Sequence, residues 1–145
     1  MKFCLKNSYG TKMTRTLARI TKLIRIDGHN DQILHLSEAE GDRRLEVVIN
    51  KTALYSIENA LLQKSSSRPL TTDLCSQISK ELRGNIHETE IYDFQKGTYF
   101  AKLHMSDEDG KIIMIDCRPS DAIALCLLNN APIYINTTVW HKVKK

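Results

Sequence analysis

Residues 111–129 read KIIMIDCRPSDAIALCLLN, and this stretch decides the fold class. Its first seven residues are rich in β-branched and aliphatic side chains, which is typical of a strand. Pro119 follows at a position that proline favours, the first turn of a helix. Residues 120–129 then form a predicted helix that is apolar on nearly every face. A helix of that kind is buried, so we expect it to pack against a sheet.

Further strand-like runs lie on both sides of this stretch. They cover residues 17–26, 32–36, 45–49, 91–94, 98–105 and 133–135. Polar turns separate several of them, at residues 27–31, 38–42, 95–97 and 106–110. Short turns between consecutive strands indicate hairpins, so we expect a mainly antiparallel sheet.

Two more helices are predicted in the middle of the chain. In residues 52–63 the apolar side chains recur at spacings of three and four, which gives a helix one apolar face. A second helix is predicted to begin with Thr71 or Thr72 as N-cap and to end at Gly84. The expected fold class is therefore α+β, with a mixed, mainly antiparallel sheet and three helices. Both halves run from an acidic turn through a strand to a helix, which is compatible with a duplicated ββα unit.

Composition limits the class of protein. The 145 residues carry a net charge of +4, with 41% hydrophobic and 26% charged side chains, as in an ordinary globular domain. We expect a single domain over residues 1–145 with a core at about 17–135. No apolar run reaches the length of a membrane-spanning helix. Four scattered cysteines fit free thiols and a cytoplasmic location, with Cys75 and Cys126 as small buried residues.

Two Arg-Pro segments, residues 68–74 and 118–122, each place Arg-Pro, a hydroxyl and an aspartate at a predicted helix start. Helix capping explains the hydroxyls and the aspartates, but it does not require the arginines. A helix N-terminus and an arginine fork can also bind a phosphate. The candidate phosphate-binding residues are Arg68, Arg118, Thr71, Thr72 and Ser120.

Three aspartates lie in or next to these segments: Asp73, Asp116 and Asp121. If they converge, their oxygens suit Mg²⁺ or Mn²⁺, which phosphodiester hydrolysis commonly uses. They are the candidate catalytic and metal-binding residues. The alternative is structural, because Asp116 or Asp121 can instead bridge Arg68 or Arg118 and fix the helix starts. Spacing alone does not separate the two interpretations.

Basic residues at the two ends of the chain suggest weak, sequence-nonspecific contact with DNA or RNA. The candidates are Lys12, Arg15, Arg19, Lys22, Lys142, Lys144 and Lys145. Scattered lysines and arginines contact phosphates without reading bases. The sequence shows no interleaved aromatic and basic stripe that would stack bases.

Four ordered blocks resemble the bifunctional nuclease domain family. They are RPLTTDL at 68–74, TYFA at 98–101, IDCRPSDAIAL at 115–125 and APIY at 131–134. The similarity extends over about residues 17–135. It implies the family's fold, DNase and RNase activity, and association into homodimers. The leading hypothesis is therefore a metal-dependent nuclease.

Two departures from the family pattern affect activity rather than fold. Thr72 stands where the family usually has histidine, so a proton carrier or metal ligand is missing there. Residues 49–53 read INKTA where members often have Ile-Gly and then a glutamate at the helix start. These changes favour the alternative, a non-catalytic binding or regulatory module of the same fold. Shared fold does not fix chemistry.

Overall fold

The computed structural model describes residues 5–6 and 12–143, with side chains from 14 to 143. Its strands are β1 Leu5–Lys6, β2 Lys12–Met13, β3 Arg15–Ile24, β4 Asp31–Glu38, β5 Arg44–Asn50, β6 Asn85–Gln95, β7 Thr98–Ser106, β8 Ile112–Cys117 and β9 Ile133–Asn136. Its helices are α1 Lys51–Leu62, α2 Thr71–Glu81, α3 Pro119–Leu128 and α4 Thr137–Val143.

Seven strands form one sheet in the order β5-β4-β3-β9-β6-β7-β8. Neighbouring strands are antiparallel except β6 and β9, which run parallel. The prediction of a mixed, mainly antiparallel sheet is therefore confirmed. The short last strand, β9, lies between β3 and β6, so it joins the two halves of the chain into one sheet.

The strands bury one face, as their side-chain alternation requires. In β5, Leu45, Val47 and Ile49 are buried, whereas Val48 between them is 64% exposed. The helices supply the other half of the core. α1 packs against α3, and α3 packs against β6 and β7. The largest fully buried side chains include Leu34, Leu36, Ile57, Ile91, Ile123 and Ile135.

The expected burial of α3 is confirmed. Ala122, Ile123 and Cys126 are fully buried, and Ala124 is nearly so. Burying an isoleucine side chain such as that of Ile123 stabilises the fold by about 1.5–3 kcal/mol. α3 thus contacts α1 from the first half of the chain and β6 and β7 from the second half.

The prediction of three helices is wrong, because Thr137–Val143 forms a fourth. Its seven residues are too few to show a helical period, so the sequence gives little local signal. Burial of Val139 and Trp140 stabilises the helix instead. The Trp140 Nε1–H donates to Thr16 Oγ1 at 2.9 Å and ties α4 to β3. No duplication of a ββα unit is shown by this arrangement.

The start of α2 also differs from the prediction. Leu70 is the N-cap and Thr71 is already helical, so neither Thr71 nor Thr72 caps the helix. The Leu70 N–H donates to Asp73 Oδ2 at 2.8 Å, so the Asp73 side chain pairs with the backbone amide of the N-cap residue. At the other end Arg83, with φ 57°, turns the chain instead of Gly84.

The cysteine prediction is half right. Cys126 is fully buried in α3, whereas Cys75 on α2 is exposed. Cys117 is partly buried, and all three of these described thiols are free. Cys4 lies outside the described residues. Over the described part of the chain, none of the helices has the length and apolar character needed to cross a membrane.

Candidate phosphate-binding cleft

The first turn of α3 carries the Arg118-Pro119-Ser120-Asp121 sequence. Arg118 is the N-cap, with extended backbone, and Pro119 occupies the first helical position, where its fixed φ suits the helix. No side chain caps this helix start. Ser120 is buried at the second position, so its predicted capping role is wrong. The positive end of the helix dipole lies beside Arg118.

Arg118 and Asp121 form a two-bond ion pair across this turn. Arg118 Nε donates to Asp121 Oδ2 at 2.7 Å, and a terminal nitrogen donates to Oδ1 at 3.0 Å. The hydrogen bonds that Arg118 donates to Asp121, together with the charge of that carboxylate, raise the pKa of Arg118. The Arg118 side chain is nevertheless 65% exposed. An ion pair exposed to this degree contributes little to stability and opens readily in water.

A second helix start lies at the same place. Asn50 is the N-cap of α1, and its Oδ1 accepts from the Ala53 N–H at 2.8 Å. The sequence departure at residues 49–53 therefore has a structural consequence. An asparagine that caps α1 satisfies one free amide of the first turn without adding a negative charge.

The two helix starts open on one cleft of about 320 Å³. Its lining includes Asp31, Asn50, Tyr99, Arg118, Pro119 and Ser120. Two helix N-termini and one arginine contribute positive potential, and Asp31 contributes the opposing charge. This combination can hold one anion the size of a phosphate group.

The second Arg-Pro segment does not reach this cleft. Pro69 and Asp73 line another cavity with Leu127 and Leu128, at the C-terminal end of α3. Residues 121 and 128 are about 10 Å apart along a helix. Asp73 therefore lies toward the opposite end of α3 from Asp121. Arg68 is exposed in the loop before α2 and does not line the cleft.

Asp116 is engaged on a third part of the surface. It lies on β8 opposite Lys102 of β7, and its Oδ1 accepts from the Tyr92 hydroxyl at 3.2 Å. Burial and the nearby Asp116 carboxylate raise the pKa of Tyr92. Among the residues that the structure describes, no group of three or more His, Cys, Asp or Glu side chains is arranged to hold a metal ion. The arrangement thus does not fit one ion shared by Asp73, Asp116 and Asp121.

The predicted basic surface is only partly present. Arg15 is largely buried and pairs with Glu88 and Glu90, so its predicted contact with nucleic acid is wrong. Lys142 pairs with Asp93. Arg19 and Lys22 are exposed on β3. The Lys12 side chain and both terminal lysines, Lys144 and Lys145, lie outside the described residues.

An ionic cluster on β6 and β7 escaped the sequence interpretation. His104 Nδ1 lies 3.1 Å from Glu88 Oε1, and Arg15 bonds the same carboxylate. Burial by itself raises the pKa of Glu88, but the bonds from His104 and Arg15 outweigh it and lower the pKa to about 2. In the sequence, Glu88 and Glu90 lie two residues apart and therefore share one strand face. Their partner Arg15 is 73 residues from Glu88, and no local pattern indicates that contact.

Comparison with known proteins gives the family. The model of the family described as "Bifunctional nuclease domain" matches residues 34–145. The chain belongs to this family. Two uncharacterized proteins, from two strains of Mycobacterium tuberculosis, are each 34% identical to it over 110 residues. The alignment covers 76% of this chain and 65% of each relative, so the chain spans a little under two thirds of the relatives' length.

The bifunctional nuclease domain match includes both helix starts of the cleft. It begins within β4 and leaves out β3, with Arg15, Arg19 and Lys22. The matched region therefore contains Arg118, Asp121 and Asn50 but not the predicted basic strand. Membership in this family supports a function related to nucleic acid.

Proposed function

We propose that this chain binds nucleic acid and holds a backbone phosphate in the cleft between the starts of α1 and α3. The observation that carries the proposal is the convergence of two helix N-termini with Arg118 in one cleft. Backbone amides at a helix start and a planar guanidinium are the donors that phosphate oxygens prefer. The family membership of the chain points to the same class of ligand.

Binding requires Arg118 to exchange one anion for another. In the free protein its fork holds Asp121, and in the complex it would hold a phosphate oxygen while Asp121 turns toward water. Both side chains are exposed, so breaking their pair costs about 0–1 kcal/mol. Recognition through phosphate alone gives weak binding without sequence preference, which weakens as salt increases.

The binding test is fluorescence anisotropy of a labelled oligonucleotide with Arg118→Gln. We expect the variant to bind at least about tenfold more weakly at low salt, since it loses a charged two-bond contact. Arg25→Gln is the matched control, because Arg25 is 59% exposed and pairs with Glu58 outside the cleft. Equal losses in both variants would mean that only net charge matters. Undetectable binding of the unaltered chain at low salt would refute the proposal.

Metal-assisted hydrolysis is the further step that the family resemblance implies. We propose Mg²⁺ or Mn²⁺ as the metal and retain Asp73, Asp116 and Asp121 as separate candidate ligands, not as one set around a single ion. The ion itself would activate water and neutralise developing charge. The separation of Asp73 from Asp121 argues against all three binding one ion in the arrangement described above. The test is cleavage of single-stranded and duplex DNA and RNA with each metal, alongside Asp121→Asn. Activity that survives this substitution points to another site.

The alternative is a non-catalytic binding or regulatory module. Three features favour it: the Arg118–Asp121 pair, Thr72 in place of histidine, and the absence of a glutamate at the start of α1, where residues 49–53 end in Ala53. This alternative predicts oligonucleotide binding that depends on Arg118, with no cleavage under any metal condition. Cleavage that Asp121→Asn abolishes would exclude it.

We also propose that the chain forms homodimers through β8. This strand is a free edge of the sheet, and Ile112, Met114 and Ile115 on it are exposed. Natural proteins usually protect such an edge with charge or by pairing it with another strand. Light scattering of Met114→Lys should show a monomer, whereas Val48→Lys, on the opposite edge strand, should leave the dimer intact. A wild-type monomer at all concentrations would refute this. The cytoplasmic location stays a prediction.

A further inference from the structure

A second cavity lies at the other end of α1 and α3 from the cleft. Its volume is about 660 Å³, within the range of small-molecule pockets. The C-terminal ends of α1 and α3 and the first turns of α2 surround it. α1 has 12 residues and is therefore about 18 Å long, so cavity and cleft are separate sites.

Asn59 in the wall of this cavity is the decisive observation. It lies in the last two turns of α1 and is only 9% exposed. Its side-chain amide makes no hydrogen bond to any residue between 14 and 143, whereas its backbone carbonyl accepts from the Lys64 N–H at 2.9 Å. The amide therefore has its hydrogen-bonding capacity free where Asn59 lines the cavity. A ligand in the cavity can pair with this amide in place of water.

The rest of the lining indicates the shape of that ligand. Pro69, Leu61, Leu127 and Leu128 provide apolar walls, and Gln77 adds a second amide. Apolar walls with a few placed polar groups suit a flat ring that carries hydrogen-bonding atoms on its edge. The carboxamide of asparagine presents a donor and an acceptor side by side, as in the pairing of asparagine with adenine.

The charges around the cavity limit the chemical class of the ligand further. The C-terminal ends of α1 and α3 are negative dipole ends, and Asp73 also lines the cavity. Among the described residues that line the cavity, Lys64 is the one of opposite charge, and it is exposed. The negative groups together favour an exocyclic amino group inside the cavity over a phosphate. Arg68 lies just outside, exposed and without an ion pair among the described residues, next to the positive start of α2. A base inside and a phosphate outside fit this distribution.

We propose that this cavity binds the base of a nucleotide, with Asn59 reading its edge and with adenine preferred over uracil. The inference deepens the proposed nucleic-acid function and rests on it for the class of ligand. The base can come from a free mononucleotide or from the end of a strand, since both present the same chemistry.

The experiment is calorimetric titration of the full chain with AMP, UMP and ribose 5-phosphate. We expect saturable binding of AMP, at least about tenfold weaker binding of UMP, and none of ribose 5-phosphate up to ~1 mM. Asn59→Leu should abolish AMP binding and leave the melting temperature unchanged or higher, because the Asn59 amide bonds no other residue among those described. Absence of AMP binding, or equal binding by Asn59→Leu, would overturn the proposal.

A control variant separates ligand binding from structure. The Asn129 amide donates to Ser76 Oγ and to the Leu125 carbonyl, so Asn129→Leu should lower the melting temperature. A similar drop for Asn59→Leu would show that the Asn59 amide serves the fold, and the proposal would fail. Competition by an adenylate trimer distinguishes a strand end from a free nucleotide. Arg118→Gln should weaken oligonucleotide binding and leave AMP binding unchanged, so the two sites can fail independently.

Discussion

Arg118 donates two hydrogen bonds to Asp121 across the first turn of α3, at 2.7 and 3.0 Å. Among the described residues, Arg118 is the one arginine that lines the cleft, and Asp121 occupies its guanidinium. Asp121 therefore competes with any anion for the guanidinium. Asp121 is proposed both to compete with phosphate for Arg118 and to be a candidate metal ligand. Removing its carboxylate separates these two roles, since oligonucleotide binding and hydrolysis should change in opposite directions.

We expect Asp121→Asn to strengthen oligonucleotide binding by about two- to fivefold, because a competing exposed charge is worth roughly 0.5–1 kcal/mol. Any cleavage activity should fall in the same variant. Anisotropy and a cleavage assay on the same preparation measure the two effects. Glu58→Gln, which frees Arg25 in an equally exposed pair, should change neither. Weaker binding by Asp121→Asn would contradict the exchange of anions at Arg118.

Asn50 combines helix capping with a place in the cleft. Asn50→Ala should lower the free energy of unfolding by about 1 kcal/mol, because Ala53 N–H loses its partner. Asn50→Asp keeps the cap and adds a negative charge to the cleft. Urea denaturation should find Asn50→Asp as stable as the wild type, and anisotropy should find weaker binding. If both variants bind oligonucleotide like the wild type, the phosphate is not held beside α1.

Glu88 should make stability depend on pH in the acid range. Its pKa in the folded chain is about 2, below the usual 4.5, so its stabilising effect is complete above pH 4.5 and is lost as the pH falls toward 2. A shift of this size corresponds to about 3 kcal/mol. The difference in unfolding free energy between wild type and Glu88→Gln should therefore shrink below pH 4.5. A difference that is constant from pH 7 to 3 would show that the carboxylate's charge is not what stabilises the cluster.

The buried helix α3 should tolerate truncation poorly. Ile123→Ala is expected to destabilise the chain by about 2–5 kcal/mol, because Ile123 is fully buried and leaves a cavity. Val48→Ala on β5, outside the proposed dimer contact, is the matched control and should cost less than about 0.5 kcal/mol, since Val48 is 64% exposed. Thermal denaturation of both variants gives the comparison. Similar costs for the two variants would contradict the prediction that burial of Ile123 in α3 stabilises the fold.

The described cysteines should differ in reactivity. Burial raises the pKa of Cys126 to about 12 and that of Cys117 to about 11, whereas Cys75 is exposed. Since the thiolate reacts, Cys126 should form about 1,000-fold less of it than a thiol of pKa 9. In a Cys4→Ser background, a thiol reagent should modify one residue rapidly and two more only on unfolding. Rapid modification that persists in Cys75→Ser would disprove this assignment.

Local sequence patterns predicted much of the fold. The strand-like run at residues 45–49 and the apolar run of α3 depend on neighbouring residues alone, so a single segment reveals them. The resemblance of the Arg-Pro segments to the family also gave the correct membership. α4 was missed because its helical conformation depends on burying Val139 and Trp140 against the rest of the fold, which its seven residues do not encode.

The arrangement of the candidate site was likewise predicted only in part. Sequence determined that Arg118 and Asp121 share one helix start, because three residues along a helix bring two side chains together. Only the tertiary structure decided that Asn50 joins them, that Asp73 lies toward the other end of α3, and that Arg15 is buried against Glu88. These outcomes depend on how strands and helices far apart in the chain pack. Contacts over such sequence separations are fixed by burial of the whole core and not by the identity of nearby residues.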